Sequence, residues 1–335
     1  MNEADLQIPP IPPRGDDEAR PRWSVMIPAR NAAATIAQTI DSVLAQAPDG
    51  GEMQVAVVDN ASTDDTVRVV ESVAAMHPRR TLEIHRLAAD IGMAGNWNAC
   101  LHLARGQWVH LLHADDYVQP GFYAAVDRAV ASHEDAMLCL VRALVVDAGG
   151  APERLARRQG STGDELSVYT LAYGNEYYTP GVVVRRAAYE RVGGFSPVLR
   201  FVPDWEMWVR ILASGKAVYV NEPLACYREA AGNATNRLSR SADDLRELVG
   251  FGRLLAKRLA WFDEQLWREY LKGHAAWAVR NWSGAGDQAA RAANYAYWRR
   301  WASAGERLDQ RLVQLRALSK QVRWRLRRVL RPWKK

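Results

Sequence analysis

The feature that most constrains this chain is a repeated unit: a short apolar run, a polar cluster at its end, then a segment with helical spacing. Trp23-Ser24-Val25-Met26-Ile27-Pro28 is an apolar run closed by proline and reads as a buried strand. Thr35 to Gln46 follows, with Ile36, Ile40, Val43 and Leu44 on one helical face. Met53 to Val58 is a second apolar strand, and Asp59-Asn60-Ala61-Ser62-Thr63-Asp64 supplies turn chemistry where it ends. Thr66 to Met76 reads as helix, Leu82 to Leu87 as a weaker strand, and Ala94 to Arg105 as a helix stopped by Gly106. Gln107 to Leu112 is again a strand. Such alternation predicts an α/β fold with a mixed, mainly parallel sheet and helices on both faces. Ligands of such sheets sit beyond the carboxyl ends of the strands. The polar clusters beginning at Pro28, Asp59 and His113 are therefore predicted to converge on one crevice.

A chain of 335 residues has room for such a domain and an appendage. Met1 to Arg22, rich in proline and acid, is expected to be a disordered tail and has no signal-peptide core. The α/β domain is expected over residues 23–240, and a basic, Trp-rich helical extension over 241–335. Residues 246–335 carry a net charge of +14 within a total of +6, which leaves the remainder at −8. This asymmetry points to an acidic partner surface for the C-terminal part. Cys100, Cys139 and Cys226 form no CxxC pair, which argues against a disulfide scaffold or zinc site and suits a reducing cytoplasm. No apolar run is long enough to span a membrane.

Four clusters carry the candidate chemistry. They are Ile27-Pro28-Ala29-Arg30-Asn31; Val58-Asp59-Asn60-Ala61-Ser62-Thr63-Asp64-Asp65-Thr66; Leu111-Leu112-His113-Ala114-Asp115-Asp116-Tyr117; and Gly193-Gly194-Phe195 followed by Pro203-Asp204-Trp205-Glu206-Met207-Trp208. In this order they resemble glycosyltransferase family 2, the inverting family with the Rossmann-like GT-A fold. Its members show an S-V-x-I-P-x-x-N strand end, a V-D-D-G-S-x-D-x-T turn, a D-x-D-D loop and an E-D-x-x-x-W segment. Any one cluster is a weak match; four in order over residues 24–240 make a strong one.

The resemblance implies a nucleotide-sugar donor, held by Pro28, Ala29, Arg30, Asp59, Asn60, Asp115 and Asp116. Physically, a carboxylate beyond a strand end can accept hydrogen bonds from a nucleoside. The plain alternative for the second cluster is a capped turn. Asn60 stands where the family has a second aspartate, keeping an acceptor and adding donors. Two phosphates and a carboxylate repel one another unless a hard cation lies between them, so Mg²⁺ or Mn²⁺ is expected as cofactor. The family's metal position falls on Asp115. His113 replaces the first aspartate and is not expected to be a ligand. Asp204 matches the family's catalytic base, with Pro203 in place of the glutamate. A positioned carboxylate base contributes on the order of 10²–10⁴ in rate. Its bland alternative is a dipole role at a helix start. Trp205 and Trp208 read as packing beneath the loop. Tyr177 and Tyr178 are candidates for the acceptor side and equally for packing. Arg86 and Asp90 are placed near the base pocket. Ala230 stands where many members have a histidine after Tyr227-Arg228, which leaves Arg228 for phosphate or a surface salt bridge. The other histidines show no ligand spacing.

The expected reaction transfers one sugar, from a UDP- or dTDP-linked donor to a hydroxyl acceptor, since a Q-x-x-R-W segment is not evident. The acceptor expected is a saccharide or lipid-linked molecule in cell-surface polysaccharide or glycolipid synthesis. Leu308, Leu312, Leu315, Val322, Leu326 and Val329 mark one helical face opposite arginines. Such a helix can lie on an anionic membrane, each Lys or Arg contributing roughly 1 kcal/mol. This suggests a cytoplasmic enzyme, peripheral on the inner face. No nucleic-acid module accompanies the charge. A dinucleotide dehydrogenase lacks its G-x-G-x-x-G after the first strand, and a sugar nucleotidyltransferase would want glycines there. The remaining competitor is a catalytically inactive scaffold with the same fold, motivated by His113 and Ala230.

Overall fold

The computed structural model describes residues 1–15, 20–48, 52–230 and 232–302. Strands and helices alternate from the start: β1 (Trp23–Ala29), α1 (Ile36–Leu44), β2 (Met53–Asp59), α2 (Thr66–Met76), β3 (Leu82–Arg86), α3 (Gly92–Leu103) and β4 (Trp108–Leu111). Then come β5 (Tyr117–Val118), α4 (Phe122–Ala131), β6 (Ala136–Val146), β7 (Pro152–Leu155), β8 (Glu165–Leu166) and α5 (Val168–Ala172). The α/β part closes with β9 (Val182–Arg185), α6 (Arg186–Val192), α7 (Pro203–Leu212) and β10 (Lys216–Arg228). Four further helices follow: α8 (Ala234–Ser241), α9 (Asp243–Arg258), α10 (Glu264–Gly284) and α11 (Gln288–Trp301).

One sheet runs in the order β3-β2-β1-β4-β9-β6-β10-β5, with β7 on β6 and β8 on β10. β1 is parallel to β2 and β4, β2 to β3, and β6 to β10. β9 is antiparallel to both β4 and β6. Every residue of β1 and β2 is buried, as expected for strands covered on both faces. Their Val25, Ile27, Val55 and Val57 join Ile36 and Ile40 of α1 in the main core. The strands and helices read from the sequence up to Leu112 are thus present. The antiparallel direction of β9 is set by its pairing with β4 and β6. Gly181, just before it, permits a close approach, for a Cβ there would lie 2.3 Å from the Val141 carbonyl oxygen.

Two compact units are present. Among the described residues, the first comprises Met1–Arg237 and Arg246–Asp263; the second comprises Leu238–Leu245 and residues 264–302. Residues 246–263, assigned from sequence to the extension, therefore belong to the first unit. In the second unit, Ala242 and Leu245 form a core with Ala275, Val279 and Trp298. The Leu308–Val329 face read as membrane-binding lies outside the described residues. Among the described residues, no helix is long and apolar enough to cross a membrane.

The segment before β1 departs from the expected disordered tail. Leu6 and Ile11 are buried, the Gly194 amide donates to the Pro9 carbonyl at 2.8 Å, and Arg186 Nη2 donates to the Pro12 carbonyl at 3.2 Å. Composition misleads here because two well-spaced apolar side chains suffice as anchors, and proline lowers the entropy lost on ordering the rest. Leu6→Ala is expected to destabilise the protein by about 2 kcal/mol or more. Urea unfolding reads this directly; an unchanged midpoint would mean that the segment does not pack.

Candidate active site

The strand directions put one set of ends on a common edge. There the carboxyl ends of β1, β2, β4, β6 and β10 meet the amino end of β9. That edge carries Pro28, Ala29 and Arg30 after β1, Asp59 and Asn60 after β2, and His113 to Asp116 after β4. It also carries Thr179 ahead of β9 and Tyr227-Arg228 ending β10. The convergence predicted from sequence is present in the backbone topology.

At the β1–β2 end, the Asn60 amide donates to the Ala29 carbonyl at 2.8 Å. Asp59 is buried, and the Ser62 amide sits 3.3 Å from each of its carboxylate oxygens. Arg86 Nε lies 3.8 Å from Asp59 Oδ2. Asn60 Nδ2 donates to Asp90 Oδ1 at 2.7 Å, and its Oδ1 accepts the Ile91 amide at 3.0 Å. Arg30 closes the network through Asp90 Oδ2 at 3.1 Å and the Asn60 carbonyl at 2.8 Å. The Gly92 amide and Arg30 hold the Asp90 carboxyl below its usual range despite some desolvation. Arg86 and Asp90 are therefore beside Asp59 and Asn60, as the sequence placed them. Asp64 Oδ1 accepts the Thr66 amide at 3.0 Å in a local turn, while the residue that caps α2 is Asp65, without a side-chain bond.

The loop after β4 is held from beneath. Thr35, which precedes α1, and Thr39 within it donate to the Ala114 carbonyl at 2.8 and 3.0 Å, and Thr39 also to the Asp116 carbonyl at 2.7 Å. Asp115 is exposed and Asp116 buried. One ligand atom from each of His113, Asp115 and Asp116 lies within 4.8 Å of the others. Asp116 Oδ1 accepts the Arg228 amide at 2.8 Å, while Oδ2 is buried without a partner. Burial and the neighbouring Asp115 push the Asp116 carboxyl well above the usual range. Carboxylate oxygens converging in this way, one of them orphaned, suit a hard divalent cation. His113, set aside on sequence grounds, stands in the cluster and stacks on Trp97 at 5.0 Å.

Arg228 does not form the surface salt bridge that was one of its two expected roles. It is only 5% exposed, and its guanidinium donates to the carbonyls of Asp115 at 2.8 Å and Ala148 at 3.0 Å and to Gln38 Oε1 at 2.6 Å. It is a clamp on the acidic loop.

Asp204 lies in the first turn of α7. Thr179 Oγ1 is 3.5 Å from its Oδ2, which ties it to the common edge, and the Trp205 amide donates to Oδ1 at 2.7 Å. The amides that precede the helix are taken by Glu247 of α9: Phe201 at 2.7 Å and Val202 at 2.8 Å. Asp204 itself, in the first turn and accepting the Trp205 amide, also fits its bland alternative, a carboxylate at a helix start. Burial pushes its carboxyl up to about 6, with Glu247 adding to the effect and hydrogen bonds opposing it. Trp205 and Trp208 are buried beneath the loop as expected. His110, which sequence reading passed over, holds the Thr179 turn by bonding Pro180 O at 3.0 Å. Its burial gave no spacing signal.

The two tyrosines differ. Tyr177 is 5% exposed and meets Tyr219 edge-on, which is its packing alternative. Tyr178 keeps partial exposure, lies 4.5 Å from Tyr227, and accepts from Arg154 at 3.0 Å.

Residues 24–193 match the family described as Glycosyl transferase family 2. An uncharacterized protein of Mycobacterium tuberculosis is 28% identical over 232 residues, 66% of this chain and 71% of its own length. A PGL/p-HBAD biosynthesis glycosyltransferase of Mycobacterium bovis is 26% identical over 221 residues, 64% of this chain and 79% of its own. Among solved structures, S. aureus TarS 1–349 in complex with UDP-GlcNAc superposes with TM-score 0.61 at 19% identity, covering 78% of this chain and 74% of that one. The mannosyltransferase PcManGT from Pyrobaculum calidifontis, in complex with GDP-Man and Mn²⁺, gives TM-score 0.53 at 20% identity, with 90% and 86% covered. At these identities the structural likeness establishes a shared GT-A fold.

Arg228→Ala strips donors from buried carbonyls in the acidic loop. It is expected to cost about 2 kcal/mol or more of stability, read as a lowered urea midpoint, with Arg228→Lys recovering only part because it lacks the fork of donors.

Proposed function

The chain belongs to glycosyl transferase family 2 and is a glycosyl transfer enzyme; from that premise we propose a single inverting transfer from a nucleoside-diphosphate sugar to a hydroxyl acceptor. The observation that carries this reading is the common edge, where Asp59, the Asp115-Asp116 pair and the Thr179-linked Asp204 arrive from separate stretches of chain. Pro28, Ala29 and Arg30 form one wall for the nucleoside, and Asp59 and Asn60 offer it hydrogen-bonding groups. A UDP- or dTDP-linked donor is proposed, and the UDP-GlcNAc held by a protein of the same fold supports this. Asp115, with Asp116 behind it, would hold Mg²⁺ or Mn²⁺. When bound, the cation supplies Lewis-acid stabilisation of the departing diphosphate.

Asp204 takes the proton of the acceptor hydroxyl as its oxygen bonds the anomeric carbon and the bond to the diphosphate breaks. Attack from the face opposite the leaving group inverts the configuration. A base pushed up to about 6 is ionised at neutral pH and is more basic than an ordinary aspartate. The acceptor is proposed to approach past Tyr178. The relative named for PGL/p-HBAD biosynthesis supports a glycolipid or polysaccharide acceptor. A location on the inner face of a membrane follows from such an acceptor and from the basic C-terminal region. Flotation of the whole protein with anionic but not neutral vesicles tests it; equal flotation with both, or none, overturns it.

Asp204→Asn is expected to lower kcat by about 10²–10⁴ while the fold persists. In the wild type, kcat/KM is expected to fall as pH drops through about 6, not through the ordinary aspartate range. The stability effect has the opposite sense: a carboxyl raised in the folded state favours folding when protonated, and that contribution is lost as pH rises through about 6. Asp204→Asn should therefore match or exceed the wild-type Tm at pH 7.5, with the difference vanishing below about pH 4. A pH–rate profile with parallel thermal melts checks both. Full activity in Asp204→Asn would remove it as the base.

A further inference from the structure

We propose that His113 supplies an imidazole nitrogen to the divalent cation at Asp115 and Asp116, biasing the site towards Mn²⁺ over Mg²⁺. The inference rests on the cation reading above and goes beyond it by adding a nitrogen ligand where an all-oxygen set was expected.

Three observations carry it. First, a ligand atom of His113 lies with those of both aspartates inside a 4.8 Å group. Second, the ring is positioned and not free to swing: it stacks on Trp97 at 5.0 Å and 19°, and Trp97 packs edge-on against Phe195. Third, the polar atoms are unsatisfied. His113 Nε2 and Asp116 Oδ2 are both buried without a hydrogen-bond partner, and Nδ1 stands 3.8 Å from Asp116 Oδ2, too far for a hydrogen bond. Asp116 is 1% exposed, so water does not readily serve that oxygen. A buried carboxylate oxygen left unpaired beside the imidazole Nδ1 is costly, and a cation shared by the two side chains removes that cost.

The ligand chemistry sets the preference. Mg²⁺ dehydrates reluctantly and favours oxygen ligands in near-ideal octahedral geometry. Imidazole suits first-row transition ions, and Mn²⁺ accepts both carboxylate and nitrogen donors. A site of one imidazole and two carboxylates should therefore hold Mn²⁺ more tightly than Mg²⁺. An aspartate at position 113 would level the two.

The test is Mn²⁺ binding to the full-length protein by electron paramagnetic resonance, alone and with UDP, with Mg²⁺ as competitor. His113→Gln is expected to weaken Mn²⁺ by about tenfold or more. His113→Asp should restore Mn²⁺ binding while making Mg²⁺ a clearly better competitor. Pulsed resonance should show a nitrogen coupling that changes on ¹⁵N-histidine labelling and disappears in His113→Gln, with circular dichroism confirming that the variant folds. Unchanged Mn²⁺ affinity in His113→Gln without any nitrogen coupling overturns the inference and leaves the aspartates holding the ion. A wild type that binds no Mn²⁺, with or without UDP, overturns the cation reading and this inference together.

Discussion

A carboxylate held out of water needs a positive partner, and the acidic loop after β4 is organised around that need. Asp116 is buried, yet the nearest arginine does not neutralise it. Arg228 gives Asp116 only its backbone amide, while its guanidinium is committed to the carbonyls of Asp115 and Ala148 and to Gln38. Thr35, ahead of α1, and Thr39 within it take up the remaining loop carbonyls. The protein thus spends its donors on fixing the backbone and leaves a carboxylate oxygen unpaired. An arrangement that rigid keeps carboxylate oxygens in place for a ligand, which is what preorganisation for a cation requires.

The proposed base follows a parallel logic on the other side of β9. A carboxylate in the first turn of a helix is normally drawn into capping, which would lower its basicity. Here Glu247 reaches from α9 to take the amides ahead of α7, so Asp204 keeps Oδ2 with only a long contact from Thr179. Burial then dominates and raises the carboxyl. Thr179 in turn is fixed by the Pro180 carbonyl resting on His110, inside β4. The strand that delivers the acidic loop also supports the turn beside the base.

Much of this was legible in the chain. The largely apolar runs of β1 and β2 announce buried parallel strands, and the clusters at their ends mark the edge where Asp59 and Asp115 lie. What was not legible depends on contacts between distant residues. β9 is a four-residue strand whose direction is set by pairing with β4 and β6, not by its own apolar pattern. His113 was set aside because it replaces the family's first aspartate, and its stack on Trp97 is visible only in three dimensions. The N-terminal segment was misjudged because average composition hides two well-placed anchors, Leu6 and Ile11. The tyrosine pair was ambiguous because sequence does not show burial: Tyr177 is buried and Tyr178 half-buried.

The departures from the family pattern also have local reasons. At position 60 an aspartate would set a second carboxylate beside Asp90, at a separation that is now a 2.7 Å hydrogen bond. Like charges at that distance repel, and one would be forced to protonate. Asparagine answers with a donor towards Asp90 and keeps an acceptor for the Ile91 amide. Asp90 is then free to engage Arg30, which reaches back to the Asn60 carbonyl and closes the wall opposite β2. Asn60, Asp90 and Arg30 are therefore one unit. Exchanging Asn60 alone for the family's aspartate would break that wall.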